Sequence, residues 1–446
     1  MIKGLERILT VVLVCLLLWL GYDISKRVEE AETTGKQQSY TEHTLAETNG
    51  SLPERYDVRE FGGSPMVKNQ GALGTCWAVA ASSAMEAYFL PEEEWIFSAD
   101  HLSLQNHFAK GQNDGGDYTM VMAYLAGWQG PVLEADDPYG DGISDPSLAP
   151  VKHVQEMQMI KDKDYEAIKQ AVYRYGAVQS SIYMDLNNAF SSSVYYNQLE
   201  YSYLYNGDER SNHDIIIIGW DDNYPAASFN YNARQNGAFI CQNSWGQEFG
   251  ENGIFYVSYE DVNIGRNAIV YTKIEDTDNY DNLYETDLCG WIGQLGYGDG
   301  VCFFANVYEA KGMESLEAVG FYATGKNAEY EISVIENFTD TSSFLKSVPI
   351  QSGKIEQAGY YTIPLEHPAA LEGGQRFAVM IRLYIPDAMY PVATEYAADE
   401  STGNVDISDG EGYISHNGTV WKRTEEEHGC NVCLKVYTKS REWSSK

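Results

Sequence analysis

Across an acidic, polar stretch between Glu275 and Asn282 the chain changes texture, and that change limits it to two differently built domains. Before it, helical and strand signals are mixed. Beyond it come Leu316 to Tyr322, Tyr330 to Ile335, Tyr360 to Leu365 and Phe377 to Tyr384, separated by Gly, Asn, Asp and Pro, with no long helical pattern. Short strands with frequent turn signals predict an all-β sandwich. Length agrees, since 446 residues exceed what one ordinary core supports.

The earlier region carries three predicted elements that matter. Thr75 to Leu90 places Trp77, Ala81, Ala84, Met85 and Tyr88 at helical spacing, with Pro91 beyond. Ile215 to Ile218 is a wholly apolar β-branched run closed by Gly219, the pattern of a buried strand. Gly237 to Cys241 and Ile254 to Tyr259 are further strands around a glycine-rich turn region. The expected fold is therefore α+β for residues 52–275, followed by the sandwich over 280–446.

At the N-terminus, Lys3 and Arg7 precede an uncharged run from Ile8 to Tyr22, and Asp23, Lys26 and Arg27 follow. A helix of that run reaches about 22 Å at 1.5 Å per residue, short of a roughly 30 Å hydrocarbon core. Residues 1–23 fit a signal peptide or an uncleaved signal anchor. The lack of a small-x-small site after Tyr22 favours the anchor, with the remainder outside the cell. Residues 24–51, rich in Glu, Thr, Gln and Ser, read as a polar tether.

A formal net charge of -35 opposes binding to nucleic acid or to an acidic membrane surface, leaving the N-terminal segment as the one membrane contact. Seven cysteines, at 15, 76, 241, 289, 302, 430 and 433, are too sparse for a disulfide scaffold. Their odd number leaves room for a free thiol, and Cys76 is the candidate. Cys430 and Cys433 form a CxxC without a second pair at zinc spacing. They read as buried strand cysteines or a local disulfide rather than a redox or metal centre.

Three segments carry possible chemistry. Gln70-Gly71-Ala72-Leu73-Gly74-Thr75-Cys76-Trp77 leads straight into the predicted helix, where exposed N–H groups and the macrodipole favour a thiolate. Gln70 offers a side-chain N–H to a substrate oxyanion beside the backbone N–H of Cys76. Ser211-Asn212-His213-Asp214 sets a histidine at a strand entrance as a base. Gln242-Asn243-Ser244-Trp245-Gly246 follows another strand, so the Asn243 carbonyl can orient the imidazole and Trp245 can shield that bond.

These segments resemble the catalytic regions of papain-family cysteine peptidases, in the same order of Cys, His and Asn. Leu52-Pro53 with Tyr56-Asp57-Val58-Arg59, Phe97-Ser98 through Leu102, and Asp137-Pro138-Tyr139-Gly140 resemble further family stretches. Gly115-Gly116 lies where the family has a cleft-lining glycine pair. The resemblance implies a two-lobed fold and a Cys76 thiolate paired with His213 imidazolium. It also implies Asn243 as orienter, Gln70 in the oxyanion hole, and substrate contacts at Gly115, Gly116 and Trp245, with a peptide substrate and neither metal nor cofactor.

Three departures stand out. Leu73 and Asn113 occupy positions that the family bridges by a disulfide, so packing must hold those loops. Asp214 replaces a small residue; its carboxylate either stabilises the imidazolium or points into solvent, and solvent is the expectation. The polar stretch before Leu52 leaves no room for the family's long helical inhibitory propeptide, so control by a folded prodomain is not expected. Residues 280–446 resemble the lectin-like sandwich of certain bacterial exported members, through Leu288 to Trp291, Phe304-Ala305-Asn306-Val307, Leu316 to Tyr322 and Phe377-Ala378-Val379. That resemblance implies a jelly-roll-like module and a carbohydrate or cell-wall ligand.

The remaining features have ordinary readings. His101 and His107 fall in a helical stretch, while His153, His367, His416 and His428 have no partner pattern. The acidic stretches from Glu275 to Asp281 and from Asp136 to Asp145 lack EF-hand spacing and read as solvated loops before calcium sites. Asn49, Asn337 and Asn417 head glycosylation triplets that matter only in a glycosylating pathway. Two rivals to hydrolysis are a surface-binding protein on the same fold and acyl transfer to an amine.

Overall fold

The computed structural model describes the backbone of residues 39–43, and residues 51–231 and 233–441. The N-terminal apolar run lies outside the described residues, among which no helix is long and apolar enough to cross a membrane.

The apolar run at Ile215–Ile218 forms the middle of the strand His213–Asp221, with each isoleucine at most 1% exposed. Both of its edges are paired, and the helices Cys76–Phe89 and Tyr165–Tyr175 pack against it. Val178–Ile182 pairs along one edge and Ala238–Gln242 along the other. At Gly219 the strand Arg55–Asp57 crosses so closely that a Cβ would meet the Tyr56 carbonyl oxygen at 2.3 Å. The predicted nucleophile helix spans Cys76–Phe89 and ends at the extended Leu90, just before Pro91. Its small residues Ala78, Ala80, Ala81, Ala84 and Ala87 are all buried, so it packs as an inner element rather than a surface one.

Two shorter helices complete this lobe. Ser98 caps Ala99–Leu104 by accepting from the His101 N–H, and Asp117 caps Tyr118–Ala126 by accepting from the Thr119 N–H. These three helices form one lobe, and the strands around His213–Asp221, with the helix Tyr165–Tyr175 packed on them, form the other, the two-lobed α+β arrangement.

Beyond residue 280 the chain is almost entirely strand, as its texture predicts. One layer is a seven-stranded sheet that includes Val301–Glu309, Ala328–Ile335 and Arg376–Tyr384. The facing layer includes Glu314–Ala323, Ala358–Leu371 and Leu434–Ser440. Phe304, Ile332 and Ile381 from the first layer and Phe321, Ile363 and Val436 from the second fill the space between.

Two features depart from a pair of beads on a tether. The segment read as a polar tether contributes a strand, Ser39–His43, paired in parallel with Gln351–Ile355 at the edge of the sandwich. Main-chain groups alone make such a pairing, so polar side chains do not oppose it. The two domains also share one sheet. Ala358–Tyr361 pairs antiparallel with Glu156–Met159, joining the facing layer of the sandwich to the peptidase strands in a 13-stranded array.

Gly359 sits at this junction with φ +149°, and a Cβ there would meet the Met157 carbonyl oxygen at 2.1 Å. Gly359→Ala should cost about 2–4 kcal/mol and split one calorimetric unfolding transition into two. A single transition at an unchanged temperature would show that the junction does not couple the domains.

Candidate active site

The loop before the nucleophile is tied to the loop after Asn243 by main-chain bonds. The Gln70 N–H donates to Ser244 O at 2.8 Å and the Gly246 N–H to Lys68 O at 3.0 Å. The Gln70 side chain is buried and doubly engaged. Its Nε2 donates to Leu73 O at 2.8 Å, and Ser244 Oγ donates to its Oε1. A carbonyl can only accept, so the amide nitrogen faces Leu73 and keeps a second hydrogen for another acceptor.

Tyr139 braces the loop by donating from its hydroxyl to Gln70 O and contacting Thr75 Oγ1. Where the family disulfide is absent, the Gly74 N–H donates to Gln112 O at 2.9 Å. Gln112 Nε2 is in turn held by Asp100 Oδ1 and Ser103 Oγ. Hydrogen bonds, together with packing, therefore hold these loops.

Cys76 is a free, half-buried thiol at the first residue of its helix. Backbone N–H groups of Asp214, Trp77 and Cys76 itself reach the sulfur. His213, 6% exposed, begins its strand, and its Nε2 lies 2.7 Å from Asn243 Oδ1. The Ser244 N–H donates to that same Oδ1 at 2.8 Å, which fixes the asparagine with its oxygen toward the histidine. Nε2 must then carry the hydrogen, which leaves the lone pair on Nδ1. Trp245 covers the pair with its ring centroid 5.0 Å from the imidazole and leans edge-on against Phe249.

Burial sets the charge states. It pushes the Cys76 thiol up to about 12, and the nearby Asp214 carboxylate pushes the same way, outweighing the N–H groups at the sulfur. It pushes His213 down to about 4 against the hydrogen bond to Asn243. Burial thus pushes each group, taken alone, toward its neutral form, while the resemblance implies a resting ion pair. Each penalty falls on a lone charge. A proton passing from sulfur to imidazole creates both charges together, and their attraction in the same low-dielectric space offsets the two penalties.

Gly115 and Gly116 flank this site. At Gly116 a Cβ would meet the Trp77 ring at 2.4 Å, so no other residue fits without moving the helix start. Asp214 is the clear correction to the sequence reading. It does not point into solvent but is buried, accepting from Ser181 Oγ at 2.6 Å and Gln179 Nε2 at 2.8 Å.

Sequence reasoning also missed Ser244 as the partner of Gln70, and the half-buried Lys68. The Lys68 ammonium bonds Glu86, Ser82 Oγ and Phe97 O and so fixes the nucleophile helix. A lone lysine before a loop gives no periodic signal.

Other candidates serve structure. His101 bonds the Tyr124 hydroxyl, and His153 stacks on Trp128 with centroids 3.9 Å apart. His416 pairs with Asp299 at the surface. In the acidic stretches, Asp276 pairs with Lys152, Asp281 accepts from the Ser440 N–H, and Asp145 caps Ser147. Among the described residues no cluster of three His, Cys, Asp or Glu is arranged for a metal. Cys241, Cys289, Cys302, Cys430 and Cys433 are buried free thiols, so the CxxC forms no local disulfide.

The model of the papain family cysteine proteases matches residues 52–273, and that of the lectin-like domain matches 283–438. The chain belongs to the papain family and carries a C-terminal lectin-like domain. Mouse cathepsin K is 27% identical over 228 residues, covering 48% of this chain and 63% of that protein. Maize cysteine proteinase 1 is 27% identical, covering 49% and 60%. The chain thus spans less than two thirds of these curated relatives. Two solved structures resemble it across both domains. One holds the cysteine protease and lectin-like domains of Cwp84, a surface-layer-associated protein of Clostridium difficile, with TM-score 0.74 and 23% identity, covering 93% of this chain and 96% of that one. The other is clostridial Cwp84 after propeptide cleavage, with TM-score 0.76 and 24% identity, covering 87% and 99%.

Removing the histidine should expose the lone thiol. In His213→Ala, alkylation of Cys76 by iodoacetamide should be at least about 100-fold slower at pH 7 and rise about tenfold per pH unit beyond pH 9. Deprotonation is the activating step, so the rate climbs with pH. A plateau below pH 9 would contradict a thiol held near 12.

Proposed function

We propose that this chain is an exported peptidase that cleaves peptide bonds through a thioester on Cys76. The observation that carries the reading is the buried His213 Nε2–Asn243 Oδ1 bond at 2.7 Å, which leaves Nδ1 free as a base, while the backbone N–H of the next residue, Asp214, reaches the sulfur of the helix-terminal Cys76. The Cys76 proton passes to Nδ1 as sulfur attacks the carbonyl carbon. The oxyanion is held by the backbone N–H of Cys76 and the second hydrogen of Gln70 Nε2. His213 then protonates the departing amine. Water attacks the thioester with His213 as base, releasing the carboxylic acid and restoring the thiol. Gly115 and Gly116 offer main-chain groups to the substrate, and Trp245 keeps water from the His–Asn bond.

Export rests on the charged-then-apolar N-terminus and on the surface-layer association of Cwp84. A saccharide ligand for the sandwich rests on a cavity of about 220 Å³ on the outer face of its seven-stranded sheet. Phe303, Arg382 and Glu331 stand in one cross-strand row on its floor. Such an aromatic, donor and acceptor set suits a sugar ring and its hydroxyls.

An epoxysuccinyl thiol-protease inhibitor should label the purified chain stoichiometrically and leave Cys76→Ala unlabelled. A folded parent that takes no label would turn attention to the surface-binding alternative. Where peptide is turned over, product analysis with an added amine separates hydrolysis from acyl transfer. For the sandwich, parent protein should be retained on cell-wall polysaccharide and Arg382→Ala at least about tenfold less. Equal retention of both, or none of the parent, would remove this cavity as the sugar site.

A further inference from the structure

Between the helices Ala99–Leu104 and Tyr118–Ala126, residues 105–117 form an irregular loop that carries Gly115-Gly116. It lies hard against the nucleophile segment. A Cβ at Gly74 would meet Gln112 O and Gly115 N at 3.1 Å each. The loop also folds back on itself. The Gly111 N–H donates to Asp114 Oδ2 at 2.8 Å, the Asp114 N–H to Gly111 O at 3.0 Å, and Lys110 Nζ to Gly115 O at 3.4 Å. Residues 110–111 therefore move with residues 114–115, and whatever fixes Ala109 fixes one stem of a closed turn whose other stem is the glycine pair. An irregular loop pays backbone entropy for staying in one place. The disulfide by which the family ties it down is absent at Leu73 and Asn113.

The stem at Ala109 is held by the other domain. In the sandwich, the connection between the strands Val392–Glu395 and Gly412–Ser415 makes a single tight turn at Glu400–Thr402. Its Ser401 carbonyl accepts from the Ala109 N–H at 2.8 Å, and Asn404 Nδ2 donates to His107 O at 3.4 Å. These bonds bracket Phe108, which is buried in the peptidase core, and Val405 packs against that same core. The turn is ordered before it meets the loop. Asp399 Oδ1 accepts from the Ser401 N–H at 2.8 Å, while Thr402 Oγ1 accepts from the Ala398 and Asp399 N–H groups at 2.8 and 3.1 Å. Thr402 is only 3% exposed, so those N–H groups have no easy substitute for its hydroxyl. Further along, Asn431 Nδ2 donates to Asp406 O at 2.9 Å and to Glu395 Oε2 at 2.8 Å, tying the connection to the body of the sandwich.

We propose that the sandwich turn 399–404 is a positioning device for the peptide cleft, holding the Gly115-Gly116 loop in its substrate-binding place where the family uses a disulfide. Thr402 is its positioning residue. It acts through the Ser401 carbonyl on Ala109, and from there across the closed turn on the glycine pair, rather than on substrate. This role rests on the peptidase reading and adds a partner to it: the lectin-like domain becomes part of the peptide-binding machinery. Loosening the turn weakens binding that uses the glycine pair. It spares the thiol itself, because Gln112 keeps its own bonds to Asp100, Ser103 and Gly74, and His213 keeps Asn243.

The test uses the full chain and two reagents for Cys76, an epoxysuccinyl dipeptide that needs the cleft and iodoacetamide that needs only the thiol. Thr402→Val keeps the side chain's shape and removes the hydroxyl that closes the turn. In that variant, labelling by the peptide reagent should slow at least about tenfold while the iodoacetamide rate stays within about twofold of the parent's. Thr402→Ser should restore the parent's ratio of the two rates, and Asn404→Ala should lower it partially. Adding Leu73→Cys and Asn113→Cys to Thr402→Val, once the two are bridged, should recover most of the lost peptide-reagent rate. Because the ratio is read within each variant, a change in folded fraction cancels. A parent-like ratio in Thr402→Val, whether both rates persist or fall together, would overturn the positioning role and leave the peptidase reading intact. So would a bridged chain that recovers nothing. A folded parent that the peptide reagent does not label would overturn the peptidase reading and this role with it.

Discussion

The hydrogen-bonded register between the strands His213–Asp221 and Ala238–Gln242 sets the geometry on which everything else at the site depends. With Ile216 opposite Gln242, the first residue of one strand and the first residue after the other come to the same end of the sheet. Asn243 Oδ1 then lies 2.7 Å from His213 Nε2. A slip of one residue would turn every side chain to the opposite face and part the two groups. The isoleucines bury the strand, and Gly219, where the strand Arg55–Asp57 crosses with no room for a Cβ, pins its register. The loops at this end add the third partner. Main-chain bonds from Gln70 to Ser244 and from Gly246 to Lys68 hold the nucleophile loop against the orienting one.

The same burial governs charge. A thiol pushed up to about 12 and an imidazole pushed down to about 4 share a space where neither ion is stable alone. A site built this way favours moving a proton between its members over holding a lone ion, and the N–H groups at sulfur together with the fixed tautomer of His213 give that transfer a direction. Asp214 sharpens the constraint. It is buried close to a thiol that must become negative, and it raises the thiol's cost of ionising.

Much of this was legible in the sequence because the chemistry sits at element ends. Cys76 at a helix start, His213 at a strand entrance and Asn243 just past a strand are positions that local patterns reveal. The direction of Asp214 was misread although its signal lay next to it. Four consecutive apolar residues mean that both faces of the strand are covered, and a residue one step before that run shares the cover. Lys68 and Ser244 left no signal, because their partners Glu86 and Gln70 are joined to them only by the fold. The strand at Ser39–His43 was hidden for another reason. Main-chain pairing at a sheet edge asks little of side chains, so a polar stretch reads as a linker even where its backbone is bonded.

The junction between the domains was equally silent, since a few strand residues cannot announce which edge they will meet. It changes what the sandwich can do. From the strand Ala358–Leu371, main-chain pairing runs through His153–Lys161, Asn267–Glu275 and Val178–Ile182 to the strand that carries His213. A flexible linker would let the cleft sweep a volume set by linker length. A shared sheet instead fixes the cleft relative to the outer face of the sandwich, with only the small twist fluctuations of paired strands between them. If that outer face holds a saccharide, anchoring it also aims the cleft. The reach of the peptidase would then be decided by the orientation of one continuous sheet rather than by the mobility of a tether.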